Sequence, residues 1–182
     1  MGRPRNFNRD AALEKAMLLF WERGYEQTSV TDLTHELGIG PPSLYAAFGS
    51  KRELFDEAVA RYEASPESVT TAGGTGTTQR EVLRAMFDRA TKEYPSQEHP
   101  RGCLVNTEPE LSGNRGRNRA ITADQLRKVS DSESSVDPET LAAFTQALLV
   151  GLSSYARDGA DEDQLRRVCD LALRACLPIR GH

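Results

Sequence analysis

The sequence predicts an all-α protein in two helical domains, residues 1–63 and 64–182. Three observations point there. Apolar residues recur at spacings of three and four through most of the chain, the period of a helix with one buried face. No segment shows the strict alternation of a half-buried strand. Between Ala64 and Gln79 the composition shifts to "ASPESVTTAGGTGTTQ", rich in Gly, Ser and Thr and short of apolar surface, which reads as a linker.

Asn8 is placed to cap a first helix whose Leu13, Ala16, Met17 and Phe20 share one face, and Gly24 ends it. Ser29, followed three residues later by Asp32, reads as a capping box opening a short helix with Val30, Leu33 and Leu37 inward, stopped by Gly38. A third helix is expected from Pro41 or Pro42 to Phe48, since proline in a first turn forfeits no needed N–H. Ser50 and Glu53 in "SKRE" start a fourth, carrying Leu54, Phe55, Ala58, Val59 and Tyr62. Trp21, Tyr25, Leu44 and Phe48 are read as core groups.

In the second domain, "REVLRAMFDRATKEY" places Val82, Leu83, Met86, Phe87, Ala90 and Tyr94 on one face. A Pro-containing loop follows around His99, then "GCLVNTEPELSG". From Arg115 to Asp137 the chain is polar, and a thin pattern through Ile121, Leu126 and Val129 predicts partial disorder. Helices at about 138–157 and 161–177 close the chain, both apolar over wide arcs.

At 182 residues with 38% hydrophobic content the chain can fill a real core. A polar start and the lack of an apolar run near 18 residues argue against export and membrane insertion, so a cytoplasmic location is expected. Three scattered cysteines suit neither a disulfide scaffold nor a metal site, and no cofactor is expected. His35, His99 and His182 lie apart, and no His-Glu-x-x-His, phosphate loop or Gly-x-Ser-x-Gly occurs, which speaks against an enzyme.

The net charge of −4 hides a local asymmetry. Residues 1–9 hold Arg3, Arg5 and Arg9 with no acid, and residues 37–52 hold Lys51 and Arg52 with no acid. A short capped helix, a Gly-containing turn and a second short helix form a helix-turn-helix pattern, whose second helix enters the DNA major groove. Carboxylates there would be repelled by the duplex and bulky groups would hold the helix away, so small, acid-free "GPPSLYAAF" suits close approach. The arm "GRPR" suits the adjacent minor groove. Beside the enzyme reading, a metal sensor through His99 and Cys103, for which the local sequence supplies no further ligands, is a minor alternative, and a helical adaptor that binds protein through its last helices is a third.

Within residues 9–62, "LFWERGYEQTSVTDLTHELGIGPPSLYAAFGSKRELF" resembles the tetracycline-repressor (TetR) family of bacterial regulators. The resemblance implies an N-terminal DNA-binding domain and a C-terminal ligand-binding and dimerisation domain, acting as a homodimer on a palindromic operator in double-stranded DNA and released by a small-molecule effector. It makes Tyr45 and Lys51 phosphate contacts, with Thr28 and Ser29 clasping the backbone alongside. Base reading falls to Gly40, Pro41, Pro42, Ser43 and Ala46. Family members often carry a polar residue near Pro41 and a ring near Ala46. This sequence has neither, so apolar contacts to thymine methyls and groove-shape reading by Arg3 and Arg5 are expected instead.

The last two helices are expected to form the dimer interface through Phe144, Leu148, Leu152, Leu165, Val168, Ala172 and Cys176. A candidate effector pocket comprises Met86, Phe87, Tyr94, Leu104 and Tyr155, with Asn106, Glu108 and Gln146 as polar anchors. Cys103, in "HPRGCLVN" beside Arg101, is a candidate redox or electrophile-sensing thiol, since positive neighbours favour thiolate; the Gly-Cys-Leu resemblance implies the same.

Overall fold

A computed structural model describes residues 8–65, 68–129 and 136–177. It divides the chain into two compact units, residues 1–65 and 66–182. The described residues contain helices and no strands.

The first unit holds α1 (Arg9–Arg23), α2 (Val30–Leu37), α3 (Pro41–Phe48) and α4 (Lys51–Glu63). Each start is fixed by the group the sequence provides for it. The Asn8 side chain accepts from the Ala11 N–H at 3.1 Å. Ser29 Oγ accepts from the Asp32 N–H at 3.0 Å while the Asp32 carboxylate accepts from the Ser29 N–H at 2.9 Å, so two end-of-helix donors are satisfied reciprocally. Ser50 Oγ accepts from the Glu53 N–H at 3.1 Å. Gly38 ends α2 in the left-handed region at φ 67°, where a side chain would be strained. Phe20, Leu33, Leu44, Leu54 and Phe55 are fully buried in this core, and the Phe20 and Phe55 rings meet edge to face at 5.1 Å.

The second unit holds α5 (Val69–Ala72), a 3-10 turn (Gly73–Thr75), α6 (Gln79–Glu93), α7 (Leu104–Thr107), a 3-10 turn (Pro109–Leu111), α8 (Ser112–Lys128), α9 (Pro138–Arg157) and α10 (Glu162–Cys176). Its core joins Leu83, Met86 and Phe87 of α6 and its C-terminal cap residue Tyr94 to Leu126 of α8, Leu141 and Leu152 of α9, and Leu165 and Cys169 of α10, all buried.

Two sequence expectations are corrected here. The Gly-Thr stretch is not a bare linker, because Val69 and Gly73 are buried and α5 packs on α6. A Cβ at Gly73 would lie 2.6 Å from Gln125 Oε1 and 3.1 Å from Met86, so that glycine serves close packing rather than looseness. Of the polar stretch 115–137 expected to be partly disordered, the part through Lys128 lies in α8 as one helix, and residues 130–135 lie outside the described residues. Its buried stripe is narrow, Thr122, Ala123 and Leu126, but polar anchors supplement it. The Arg115 guanidinium donates to the Val105 and Glu108 carbonyls at 2.9 and 2.7 Å, and Gln125 Nε2 donates to the Thr70 carbonyl at 3.1 Å.

Candidate nucleic-acid interface

α3 is short, and its sequence divides it sharply. Leu44 and Phe48 face the core, whereas Pro41, Pro42, Ser43, Tyr45 and Ala46 are exposed, as is its N-cap Gly40. Gly40 is extended, and the first donors the helix needs to place, the N–H groups of Ser43 and Leu44, reach its carbonyl at 3.0 and 3.1 Å. The result is a protruding face of small apolar groups with one tyrosine, 47% exposed, and no carboxylate. Alongside α3 runs an open groove of about 790 Å³ lined by Asn8, Lys15, Ile39, Ser43 and Ala46. Lys15 on this groove escaped the sequence reading, because an outward lysine on an amphipathic helix carries no local signal of what lies across from it.

Lys51 occupies the first position of α4, where the positive end of the helix dipole disfavours a cation. Its ammonium lies 4.2 Å from the centroid of the Tyr25 ring, whose π face compensates. A helix N-terminus combined with a restrained ammonium forms an anion-binding arrangement suited to phosphate. Arg52 lies 5.6 Å from the same ring and pairs with Asp56 at 3.0 Å.

Other predicted contacts sit differently. Thr28 is fully buried and its hydroxyl donates to the Gly24 carbonyl at 2.7 Å, so the side chain locks a turn and does not clasp a backbone outside. Ser29 is exposed, but its hydroxyl is engaged with Asp32. That engagement holds the Asp32 carboxyl below its usual range, through the Ser29 side-chain and backbone hydrogen bonds. Arg3 and Arg5 lie outside the described residues.

In the second unit, Met86, Phe87, Tyr94 and Leu104 come together in the core, and Glu108 is also buried. Asn106 Nδ2 donates to the Tyr94 hydroxyl at 3.2 Å and Gln146 Nε2 donates to Asn106 Oδ1 at 2.9 Å, a polar chain from α6 to α9. Burial pushes the Tyr94 phenol well above its ordinary value, with the neighbouring Cys103 adding to the effect. Tyr155 is a correction: it is 41% exposed and does not join this set.

Cys103 is buried, its N–H donating to Ser153 Oγ at 2.8 Å and its thiol within hydrogen-bonding reach of the Tyr94 hydroxyl. The guanidinium of Arg101 is directed elsewhere, to the Ala156 and Ala160 carbonyls at 3.1 and 3.4 Å near the end of α9. The basic neighbour read from sequence is therefore a helix-end cap. Among the described residues, no group of three or more His, Cys, Asp or Glu side chains is placed to hold a metal ion.

The predicted interface residues also separate. Leu152, Leu165 and Ala172 are buried within the chain's own core, because α9 and α10 turn those arcs toward α6, α7 and α8. Phe144, at 38% exposure, lies outside that core, while Leu148, Val168 and Cys176 are half-buried. Leu171, at 62% exposure, was not singled out from sequence. No described helix is long and apolar enough to cross a membrane.

An exposed, acid-free second helix beside a restrained lysine defines a helix-turn-helix DNA-binding regulator. Residues 12–58 match the family described as "Bacterial regulatory proteins, tetR family". The chain is 32% identical to the HTH-type transcriptional repressor ComR of Escherichia coli K12, over 95% of this chain and 90% of ComR. It is also 32% identical to the repressor BdcR of the same organism, over 98% of this chain and 93% of BdcR. Among solved structures, a cysteine mutant of the TetR family transcriptional regulator CifR, complexed with 26 bp double-strand operator DNA, matches with 38% identity. The TM-score is 0.87, covering 96% of this chain and 100% of that one. The chain belongs to the tetR family of bacterial regulatory proteins and is a DNA-binding transcriptional regulator. That sets aside an adaptor without DNA binding.

Proposed function

We propose that this regulator represses transcription by binding a palindromic operator as a homodimer, and that a small-molecule effector releases it. The exposed face of α3, free of carboxylates and flanked by Lys51, supports the DNA half of this reading most directly. Tyr45 and Lys51 hold phosphates. Gly40, Pro41, Pro42, Ser43 and Ala46 meet base edges, with Pro41, Pro42 and Ala46 against thymine methyls, and Arg3 and Arg5 read the minor groove. One short helix reads too few base pairs, so two copies bind half-sites about 34 Å apart.

The dimer face that fits exposure is Phe144, Leu148 and Tyr155 on α9 with Val168 and Leu171 on α10. Effector binding draws on the core around Met86, Phe87, Tyr94 and Leu104, with Asn106 and Gln146 as polar partners, and favours a dimer whose two α3 helices no longer match one DNA turn. Selection of bound duplexes from a random pool tests the reading. A palindrome with half-sites one turn apart is expected, with guanine-for-thymine swaps in each half-site weakening binding by about 1–3 kcal/mol. Recovery of no preferred sequence would overturn it.

A second reading makes Cys103 the sensor. Its thiol abuts the Tyr94–Asn106–Gln146 chain, so adding an oxygen or an electrophile there has to displace groups that tie α6 to α9. Operator release by peroxide or a quinone that persists in Cys103→Ser would remove this reading.

A further inference from the structure

α3 has no basic residue in its own last turn, and an eight-residue helix leaves a large share of its carbonyls without intrahelical donors. The missing cation comes from another helix. Arg9, the first residue of α1, donates through Nε to the Ala47 carbonyl at 3.1 Å, in the last turn of α3. Its Nη2 donates to both carboxylate oxygens of Glu57 on α4, at 2.7 and 2.8 Å. Its guanidinium carbon lies 4.6 Å from the centroid of the Phe48 ring. One planar group thus meets α3 twice and α4 once, and the contacts fix both the position and the tilt of the fork. A cation at that end also complements the negative pole of the α3 dipole.

We propose that Arg9 is a positioning residue for DNA reading. It ties the end of α3 to α4 and to the first turn of α1, the point where the Arg3–Arg5 segment attaches, so that α3 is presented to the groove at one fixed angle. The pair is half-exposed, 48% for Arg9 and 39% for Glu57, which limits its weight in global stability. Its consequence lies in geometry, because base contacts tolerate little misplacement while phosphate contacts tolerate more. This rests on the assignment of α3 as the reading helix.

The test compares Arg9→Met, Glu57→Gln and the double variant of the full chain. Each is titrated against the palindrome selected by the wild-type protein and against a scrambled duplex of equal length, at several salt concentrations. Arg9→Met and Glu57→Gln are each expected to lose about tenfold in affinity for the palindrome, with the scrambled duplex nearly unaffected. The double variant should be no weaker than Arg9→Met, and the slope of log affinity against log salt should stay unchanged. A slope lower by about one in Arg9→Met, with tighter binding by Glu57→Gln, would make Arg9 a phosphate contact and overturn the proposal. Unchanged preference for the palindrome in both single variants overturns it as well. A parallel loss on both duplexes, with a lowered thermal midpoint, would show a merely structural role and likewise overturn it. A wild-type protein that retains no duplex overturns the DNA assignment itself.

Discussion

The Lys51 ammonium stands 4.2 Å above the Tyr25 ring, so a cation at the start of α4 is steadied by an aromatic face that belongs to the α1–α2 turn. The ring helps offset the repulsion between the charge and the helix dipole while leaving ammonium hydrogens to meet a phosphate. Lys51→Met is expected to weaken binding about tenfold to specific and non-specific duplexes alike, and to lower the salt slope by about one. Fluorescence anisotropy across a salt series checks both. Tyr25→Leu should keep the slope and weaken binding less, since the charge remains and only its restraint is lost.

Ser29 and Asp32 form the box that starts α2. Ser29→Ala is expected to cost about 1 kcal/mol of stability at neutral pH, measured by urea unfolding. The acid limb should change with it. Asp32 is held below its ordinary 3.8 by Ser29, so its contribution is present above that pH and is lost as pH falls through the lower folded value. Wild type should therefore lose this increment on acidification below about pH 4, while Ser29→Ala, which loses the side-chain hydrogen bond that lowers the pKa most and keeps the backbone one, should show a flatter response.

The N-terminal unit was legible because its signals are local. Asn8, Ser29, Gly38, Pro41 and Ser50 each mark a boundary through hydrogen bonds or backbone angles that depend on adjacent residues. What the sequence hid depends on groups distant along the chain. Gly73 looks like linker glycine until Met86 and Gln125 are seen against it. α8 reads as disordered because its three buried residues are too sparse for periodicity, and the carbonyls that hold Arg115 lie before the helix begins. Arg9 counts as one more arm charge until Glu57 and Ala47 appear beside it. On α9 and α10, apolar spacing could not tell the inward arc through Leu152 from the outward one through Phe144 and Tyr155.

Cys169 packs in the α6–α10 contact, and burial, with Asp170 adding to it, pushes its thiol from 9.0 to about 12. The folded chain therefore favours the neutral thiol more than the unfolded chain does. By linkage that stabilisation is complete below pH 9 and is lost as pH rises toward 12. Wild type should lose stability more steeply than Cys169→Ala across this window, measured by urea titrations at stepped pH. Iodoacetamide at pH 8 should leave Cys169 unmodified until the protein is unfolded.

Leu171 exposes 62% of its surface on α10, while its neighbours Ala172 and Leu173 are buried. Two residues of the α9 outer arc, Phe144 and Tyr155, are exposed as well, so α9 and α10 each carry large apolar groups that the chain's own core does not cover. If a second copy covers this face about a two-fold axis, each Leu171 meets the same patch of its partner. Leu171→Glu then places a carboxylate in both halves of the contact while leaving the buried core of each chain intact. The expected outcome is a folded monomer at micromolar concentration in sedimentation equilibrium, with wild-type helical content and operator affinity lowered by at least a hundredfold, because a single half-site supplies too little binding energy. Leu165→Ala offers the contrast. That side chain is fully buried in the chain's own core, so the change should cost about 2–5 kcal/mol of stability and leave dimerisation of the folded fraction unaltered. A dimeric Leu171→Glu protein would exclude this face as the interface.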